Sequence, residues 1–453
     1  MSHPSYFLAD LPAEVELMPA LITEACQTLK HNRERYFSGR STEGLLPILE
    51  SLGQSWLEPD YPFRVQTLAE GPAATGFSRE TLAHGLDSFF KQLTAGNLEN
   101  LLTQELGHER RLDEFHAAET DGARGRTALV HGPELLVHIA PGNLPNPALT
   151  SIVLGLLVRS AQFVKCASGQ SFLLRMFAHS LYEVEPKLGA CLEIAEWKGG
   201  AERLETALFA EADCVVASGS DESIAAIRAR VPAKTRFLGY GTRVSFGYVA
   251  KEALSAHHAK SVARHAAEDV AAWNQLGCLS PHIIYVESGG PIGPELFAEM
   301  LATQLEEIEK SHPRGMLPAG DAAAIATRRS FYEVRAAHSL ETKMWVSPES
   351  TAWTVVFEAD ALFQISCLNR FVYVKSVANL TEALQAAEPV RGKLSTVGLA
   401  CAGPQILEVA RQLAQWGVTR ICPLGQMQNP PLAWRHDGRP ALADLVTWCD
   451  WER

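Results

Sequence analysis

The sequence predicts an α/β protein with two parallel-sheet α/β domains, a helical N-terminal region and a short C-terminal tail. Three observations predict it. Apolar residues recur at three-to-four spacing before residue 125, the helical period. From about Ala128, short β-rich runs alternate with helical ones, and repeated β-α units imply a parallel sheet covered by helices on both faces. A bend at Asn274-Gln275-Leu276-Gly277-Cys278-Leu279-Ser280-Pro281 divides that alternation into two series. The expected domains are 1–125 (helical), 126–250 (α/β, nucleotide-binding), 251–424 (α/β, carrying Cys278) and 425–453 (a tail returning to the core or to an interface).

Within the N-terminal region, helices are expected over Pro19–Lys30, Gly44–Leu52 and Ser78–Leu93. Pro19 suits a first turn, where no N–H is needed. The polar stretch Gly107–Arg126 reads as a solvated connector. The first α/β series reads as strands Glu134–Ala140, Phe163–Cys166, Leu192–Trp197 and Cys214–Ala217. Helices Ala148–Arg159, Ser171–Leu188, Ala201–Phe209 and Ser223–Arg230 follow them in turn. A long helix is expected from Ser255 to Trp273. Past the bend come Ile283–Val286, Glu295–Lys310, Ala322–Ala337, Trp353–Glu358, Phe371–Val377, Leu380–Ala387, Thr396–Cys401, Pro404–Trp416 and Arg420–Pro423. A short amphipathic helix is expected over Leu442–Trp448.

Composition narrows the function classes. At 453 residues, 47% apolar and 20% charged, the chain has ample material for cores. Its formal net charge of −12 argues against non-specific nucleic-acid binding, which needs a basic face. The nine cysteines are scattered without a C-x-x-C, which suits a reducing cytosol better than a disulfide framework or a zinc site. No apolar run approaches the ~20 residues of a spanning helix. Met1–Tyr6 lacks the charged-then-apolar pattern of a signal peptide.

Four stretches carry chemistry. Cys278 stands at a helix-to-strand bend, behind a Gly and ahead of a Pro. There a thiolate can meet a substrate, although a free cysteine is more often core filler. His138-Ile139-Ala140-Pro141-Gly142-Asn143-Leu144-Pro145-Asn146-Pro147 braces Asn143 between prolines after a strand. A rigid amide donor suits a developing oxyanion, and an ordinary Asn-Pro turn is the alternative. Lys165 ends a buried strand at the edge where ligands sit, to hold a ribose or phosphate or else to snorkel. Ser218-Gly219-Ser220-Asp221-Glu222-Ser223 runs from strand through a Gly-Ser turn into a helix. That turn suits a pyrophosphate, or simply a well-capped helix. Gly239-Tyr240-Gly241 lacks a third Gly and leads into a strand-like run, so it is not a dinucleotide fingerprint.

Order and spacing add to these. Pro141-Gly142-Asn143-x-Pro145, the Lys165 strand end, Gly219-Ser220-Asp221-Glu222-Ser223-Ile224, Asn274-Gln275-x-x-Cys278-Leu279-Ser280-Pro281, Thr396-Val397-Gly398 and His436-Asp437-Gly438 resemble the aldehyde dehydrogenase superfamily. Within it they resemble the LuxC-type long-chain acyl reductases, which make fatty aldehyde for bacterial luminescence. The likeness covers roughly residues 125–453. It implies an aldehyde dehydrogenase-like fold, with Cys278 as nucleophile and Asn143, together with the Cys278 N–H, as oxyanion hole. It places Lys165 on the adenosine ribose or its 2′-phosphate, and Gly219 and Ser220 on the pyrophosphate. Ser168 stands where NAD-preferring members often carry Glu, which favours NADPH over NADH. The resemblance also implies a cytoplasmic homo-oligomer acting on acyl-CoA or on an acyl-carrying partner protein.

One departure is informative. Hydrolytic relatives place a water-activating Glu ahead of a Gly-Gly, and the corresponding segment here, Thr235–Gly241, has no acid. That fits an acyl-thioester reductase. Two alternatives stay open: an aldehyde oxidase drawing its base from elsewhere, such as Glu358, and a catalytically inactive scaffold of an acyl-transfer complex.

Overall fold

The computed structural model describes residues 4–12, 14–117 and 125–452. Part of the expected connector and the first three residues lie outside them. The chain divides into two compact units. One comprises residues up to 75, 86–241 and from 431 onward; the other comprises 76–85 and 242–430.

The helical region contains α1 (Pro19–Tyr36), α2 (Thr42–Leu57), α3 (Pro62–Thr75), α4 (Arg79–Phe90) and α5 (Ala95–Leu106). Their ends follow local chemistry. Ser41 and Thr94 accept the N–H of Gly44 and Asn97 as N-caps, and Gly107 closes α5 at φ +76°. The sequence showed α1, α2 and α4 and missed α3 and α5.

The first sheet is built from β2 (Leu135–Ile139), β3 (Ala161–Cys166), β4 (Leu192–Glu196), β5 (Cys214–Ser218) and β6 (Arg236–Tyr240), following a strand β1 (Arg126–His131). The connecting helices are α6 (Asn146–Leu157), α7 (Phe172–Val184), α8 (Pro186–Gly189), α9 (Glu202–Glu211) and α10 (Asp221–Arg230). Pro186 splits the single helix expected over Ser171–Leu188, because it has no N–H to continue the ladder. The five strands are all parallel, in the order β4-β3-β2-β5-β6. Chain order reverses at β2, so the crevice at its carboxyl end is the topological switch point where such sheets bind ligands. One face is packed by α1 and α9, whose Ile22, Cys26, Leu208 and Phe209 meet Val137, Phe163, Ala195 and Val215.

The second unit carries β7 (Val244–Val249), α11 (Ala259–Ala271), β8 (Pro281–Glu287), α12 (Pro294–Ser311), α13 (Ala319–His338), β9 (Thr342–Val346), β10 (Thr354–Glu358), β11 (Phe371–Val377), α14 (Leu380–Ala386), β12 (Leu394–Ala400), α15 (Ile406–Trp416) and β13 (Arg420–Pro423). Its sheet runs β13-β12-β7-β8-β11-β10-β9, parallel except for the antiparallel edge strand β9. Successive residues of each strand feed opposite faces. Ile284, Val286, Val372 and Val374 pack under α11 and α12. Ile283, Tyr285, Phe371 and Tyr373 pack against Ile325 and Tyr332 of α13 and Leu413 of α15.

Two expectations are corrected. The helix before Cys278 spans Ala259–Ala271, not Ser255–Trp273, because Trp273 and Asn274 adopt left-handed backbone angles. The tail forms a strand, β14 (Thr447–Glu452), paired antiparallel with β1, in place of a helix over Leu442–Trp448. Partnership with β1 supplies the backbone bonds that decide for a strand.

Candidate active site

In the first unit, five predicted residues gather at the carboxyl edge of the sheet. Asn143 is exposed on the loop after β2, three residues before α6. Ala140 N–H donates to the carbonyl of Lys165 (3.0 Å), and a Cβ on Gly142 would lie 3.4 Å from that of Ala167. The loops after β2 and β3 therefore touch. Ser168 is exposed on the second of these loops. Lys165 is buried, with its ammonium 5.8 Å from the Trp197 ring centre. Burial holds its pKa below the ordinary value, while Glu205, Cys166 and Glu196 pull the other way. Among the described residues no carboxylate hydrogen-bonds it, so a buried cation remains available to a ligand. Gly219 and Ser220 are exposed after β5, and Ser220 Oγ accepts the Ser223 N–H (3.2 Å) as N-cap of α10. A buried lysine at a switch point beside a Gly-Ser helix start fits a dinucleotide.

The glycines of Gly239-Tyr240-Gly241 have packing reasons instead. A Cβ on Gly239 would stand 2.7 Å from Ile224 of α10, and one on Gly241 would stand 2.3 Å from Asp221 Oδ1. They let α10 lie close on β6.

In the second unit, Cys278 stands three residues before β8, at the amino edge of its sheet, and is partly exposed. The preceding bend is unusual: Trp273, Asn274 and Gln275 have φ of +50°, +53° and +63°. Each non-glycine residue held there costs about 1–2 kcal/mol, so surrounding bonds must enforce the turn. Asn274 Nδ2 donates to the Arg314 carbonyl (2.8 Å). Gln275 Nε2 donates to the carbonyls of Pro281 (2.8 Å) and Phe371 (2.9 Å). Phe371 follows a second left-handed turn, Leu368-Asn369-Arg370, with φ of +61°, +55° and +65°. Two strained turns thus open the neighbouring strands β8 and β11, and one glutamine ties them together.

The Cys278 backbone is also clamped. Its carbonyl accepts Ser245 Oγ–H (2.7 Å), and the same Oγ accepts the Thr396 N–H (3.1 Å). Gln428 Nε2 lies 2.6 Å from Ser280 Oγ. Buried Arg420 holds the turn carrying Gln428, donating to the carbonyls of Met427 (2.6 Å) and Gln426 (2.8 Å). Burial lowers the Arg420 pKa, while charge interactions with Cys422, Asp269 and Cys278 act in the opposite sense. His282 is the extra residue of a bulge between β7 and β8, and burial pushes its pKa down to about 4. Its Nδ1 accepts the Ser366 N–H (3.2 Å), which fixes a neutral ring. Arg420, Ser245 and His282 escaped the sequence reading; only register and side-chain direction reveal them.

Five of the other cysteines are poor nucleophiles. Burial pushes the thiols of Cys26, Cys166, Cys191 and Cys214 up to about 12 and that of Cys422 to about 11. Glu358 is not placed to serve Cys278. It ends β10 at the carboxyl edge, level with Tyr285 and four residues beyond Thr354, which is level with Pro281. At ~3.3 Å per residue that is about 13 Å along the strands. Its carboxylate is buried against Lys375 (2.6 Å).

The packing of Trp273 yields a test. A Cβ on Gly85 of α4 would lie 2.0 Å from the Trp273 ring. Gly85→Ala must displace that ring, at a cost of about 1–3 kcal/mol for overpacking. A lowered denaturation midpoint together with slower iodoacetamide labelling of Cys278 is expected; unchanged labelling would show that the turn does not set the thiol's reactivity.

Among the described residues, no cluster of three or more His, Cys, Asp or Glu could hold a metal, and no helix is long and apolar enough to cross a membrane. Residues 38–448 match the family model described as acyl-CoA reductase (LuxC). Long-chain acyl-protein thioester reductase of Aliivibrio fischeri is 24% identical over 422 residues, 90% of this chain and 82% of its own length. Its namesake from Photorhabdus luminescens is 25% identical over 421 residues, with the same coverage. Among solved structures, indole-3-acetaldehyde dehydrogenase complexed with NAD+ superposes with TM-score 0.72 at 13% identity, covering 97% of this chain and 90% of that one. A benzaldehyde dehydrogenase from Corynebacterium glutamicum gives 0.70 at 13%, covering 97% and 91%. With the fold of the aldehyde dehydrogenases and a family match over most of its length, this chain belongs to the acyl-CoA reductase (LuxC) family.

Proposed function

We propose that this chain reduces an acyl thioester, carried by CoA or by a partner protein, to a fatty aldehyde through a thioacyl intermediate on Cys278. The observation that carries the reading is the Cys278 bend: a partly exposed thiol just past strained backbone that fixed amides hold in place. The relatives' activity on acyl-protein thioesters supports the substrate class, and an acyl-carrying protein is the partner it implies.

Cys278 thiolate attacks the thioester carbonyl. A free thiol has a pKa near ~8.5, so a nearby cation that lowers it raises the reactive fraction at neutral pH. The amide of Asn143 and the Cys278 N–H donate to the oxyanion; removing one such donor typically costs about 3–4 kcal/mol. The carrier's C–S bond breaks and its thiolate takes a proton from solvent, leaving the acyl group on Cys278. Lys165 binds the adenosine ribose or phosphate of the cofactor, while Gly219 and Ser220 lie along its pyrophosphate. Ser168, in place of an acid, leaves room for a 2′-phosphate, so NADPH is favoured over NADH. When bound, the reduced nicotinamide supplies hydride to the acyl carbon. The Cys278–acyl bond then breaks, the thiolate returns and aldehyde leaves. With no acid in Thr235–Gly241, water is not activated against the thioacyl group.

The test is a turnover assay with NADPH or NADH and an acyl-CoA series. Cofactor oxidation that needs the thioester and releases aldehyde is expected. Turnover of aldehyde with NAD(P)+ and no requirement for CoA would replace the proposal with an oxidase. No turnover and no labelling by a radioactive acyl thioester would leave only a scaffold. Asn143→Ala is expected to lower kcat by about 10²–10³-fold with acyl-thioester binding retained; an unaltered kcat would remove Asn143 from the oxyanion hole.

A further inference from the structure

The His436-Asp437-Gly438 turn has no part in the chemistry so far, and the structure lays it on the carboxyl edge of the first sheet. Asp437 and Gly438 turn left-handed in succession, at φ +54° and +75°. The Asp437 side chain is 4% exposed and that of His436 28%, with the carboxylate 3.9 Å from His436 Nε2. The His436 ring stacks on Tyr240, the last residue of β6, with centres 4.4 Å apart and planes 8° from parallel. Trp434 lies 4.8 Å from the same ring. Arg439 Nη1 donates to the Gly239 carbonyl (3.3 Å) and pins the turn to the strand. The Tyr240 carbonyl accepts the Gly219 N–H (3.1 Å). Ile139, Ala217 and Gly239 are level across β2, β5 and β6. The turn and the loop carrying Asn143 therefore leave one sheet at one height, about 10 Å apart across two strand spacings.

We infer that His436, with the Asp437 carboxylate beside it, hands the departing carrier sulfur its proton. The inference rests on the thioacyl reading of Cys278 and deepens it. The tetrahedral adduct holds two sulfurs on one carbon, and the sulfur of the more acidic thiol leaves faster. A free thiol has a pKa near ~8.5, so whatever makes Cys278 a better thiolate also makes it the better leaving group, and the adduct returns the substrate. Protonation of the carrier's sulfur reverses that choice. The imidazolium N–H bond and the carrier's C–S bond break, an S–H bond forms, and the oxyanion's electron pair restores the carbonyl on Cys278. Solvent then reprotonates His436, so the carrier's proton comes from water through the ring. Imidazole is the side chain that trades protons near neutral pH. Its neighbours do not. Burial pushes the Tyr240 hydroxyl up to about 12, and Arg439 keeps its proton. Thr235–Gly241 brings no carboxylate or imidazole of its own.

The experiment follows radioactive acylation of the full chain, without reduced cofactor, by one acyl group carried on CoA or on 4-nitrothiophenol, whose acidic thiol leaves without a proton. His436→Gln is expected to slow labelling from acyl-CoA by about 10²-fold or more, the scale of a lost general acid. Labelling from the nitrothiophenyl ester should stay nearly unaltered. Asp437→Asn is expected to share that selectivity. Equal slowing with both esters, the result of a turn that merely anchors the tail, overturns the proposal, as does unaltered labelling of His436→Gln from acyl-CoA. Should His436→Gln not fold, the native protein decides. Its labelling rate is expected to depend little on thiol acidity across a series of alkyl and aryl thioesters, and a steep dependence overturns the inference. A native protein that takes label from neither ester overturns the thioacyl reading itself, and this inference with it.

Discussion

Cys278→Ala is expected to abolish acyl transfer: no label from a radioactive acyl thioester should remain on the protein, and kcat should fall by on the order of 10⁴-fold or more, the scale seen when a covalent nucleophile is removed. The fold survives, because the thiol is partly exposed and the bend is held by the side chains of Gln275 and Asn274 and by Ser245 on the Cys278 carbonyl. Denaturation midpoints of variant and native protein should therefore agree within about 0.5 kcal/mol, as for a surface change away from packed features. Cys278→Ser tests the same point more finely, since it keeps the shape and replaces the thiol with a far less acidic hydroxyl. Labelling that persists in Cys278→Ala, at Cys367 or Cys401 for instance, would assign the acyl group to another thiol and end the proposal.

Lys375→Met is expected to cause the largest loss of stability, and to do so away from the chemistry. Lys375 and Glu358 are fully buried side by side in β11 and β10, with the ammonium 2.6 Å from Glu358 and 3.0 Å from Asp360. Tyr332 OH contributes a 3.3 Å bond to Glu358. Removing the lysine strands a buried carboxylate, which typically costs about 3–5 kcal/mol. Arg335, 3.1 Å from the other Glu358 oxygen, is half exposed and only partly compensates. A urea midpoint lowered accordingly is the expected result. The double variant Lys375→Met with Glu358→Gln should recover much of the loss, because the uncompensated charge is gone. Labelling of Cys278 should persist in the folded fraction, since the pair sits at the opposite edge of the sheet. Equal losses in single and double variants would show that packing, and not charge, dominates there.

Much of the fold is legible in the residues because its signals are local. Buried parallel strands such as Ala161–Cys166 and Phe371–Val377 stand out as short apolar runs, and α12, α13 and α15 begin near Pro294, Pro318 and Pro404, where helix starts are written in the chain. The strands that went unseen are those whose existence depends on a partner: β6 with its glycines, the edge strand β9, and the β1–β14 ribbon, whose members meet from opposite ends of the α/β portion of the chain.

The candidate site divides the same way. The chain alone determined the identity of the candidate groups: a lone cysteine behind Asn274-Gln275, an asparagine braced by Pro141 and Pro145, and a lysine closing a strand. Those are one-dimensional facts about residue type, order and spacing. Only the tertiary structure decided that the turn before Cys278 is left-handed and tied to β11, that Arg420 and His282 stand near the thiol's loop, and that Glu358 does not. It alone laid the imidazole of His436 on the Tyr240 ring at the end of β6. The reason is physical: a backbone in a costly conformation persists only through bonds from strands far away in sequence, and a charge acts through space on whatever folding brings beside it.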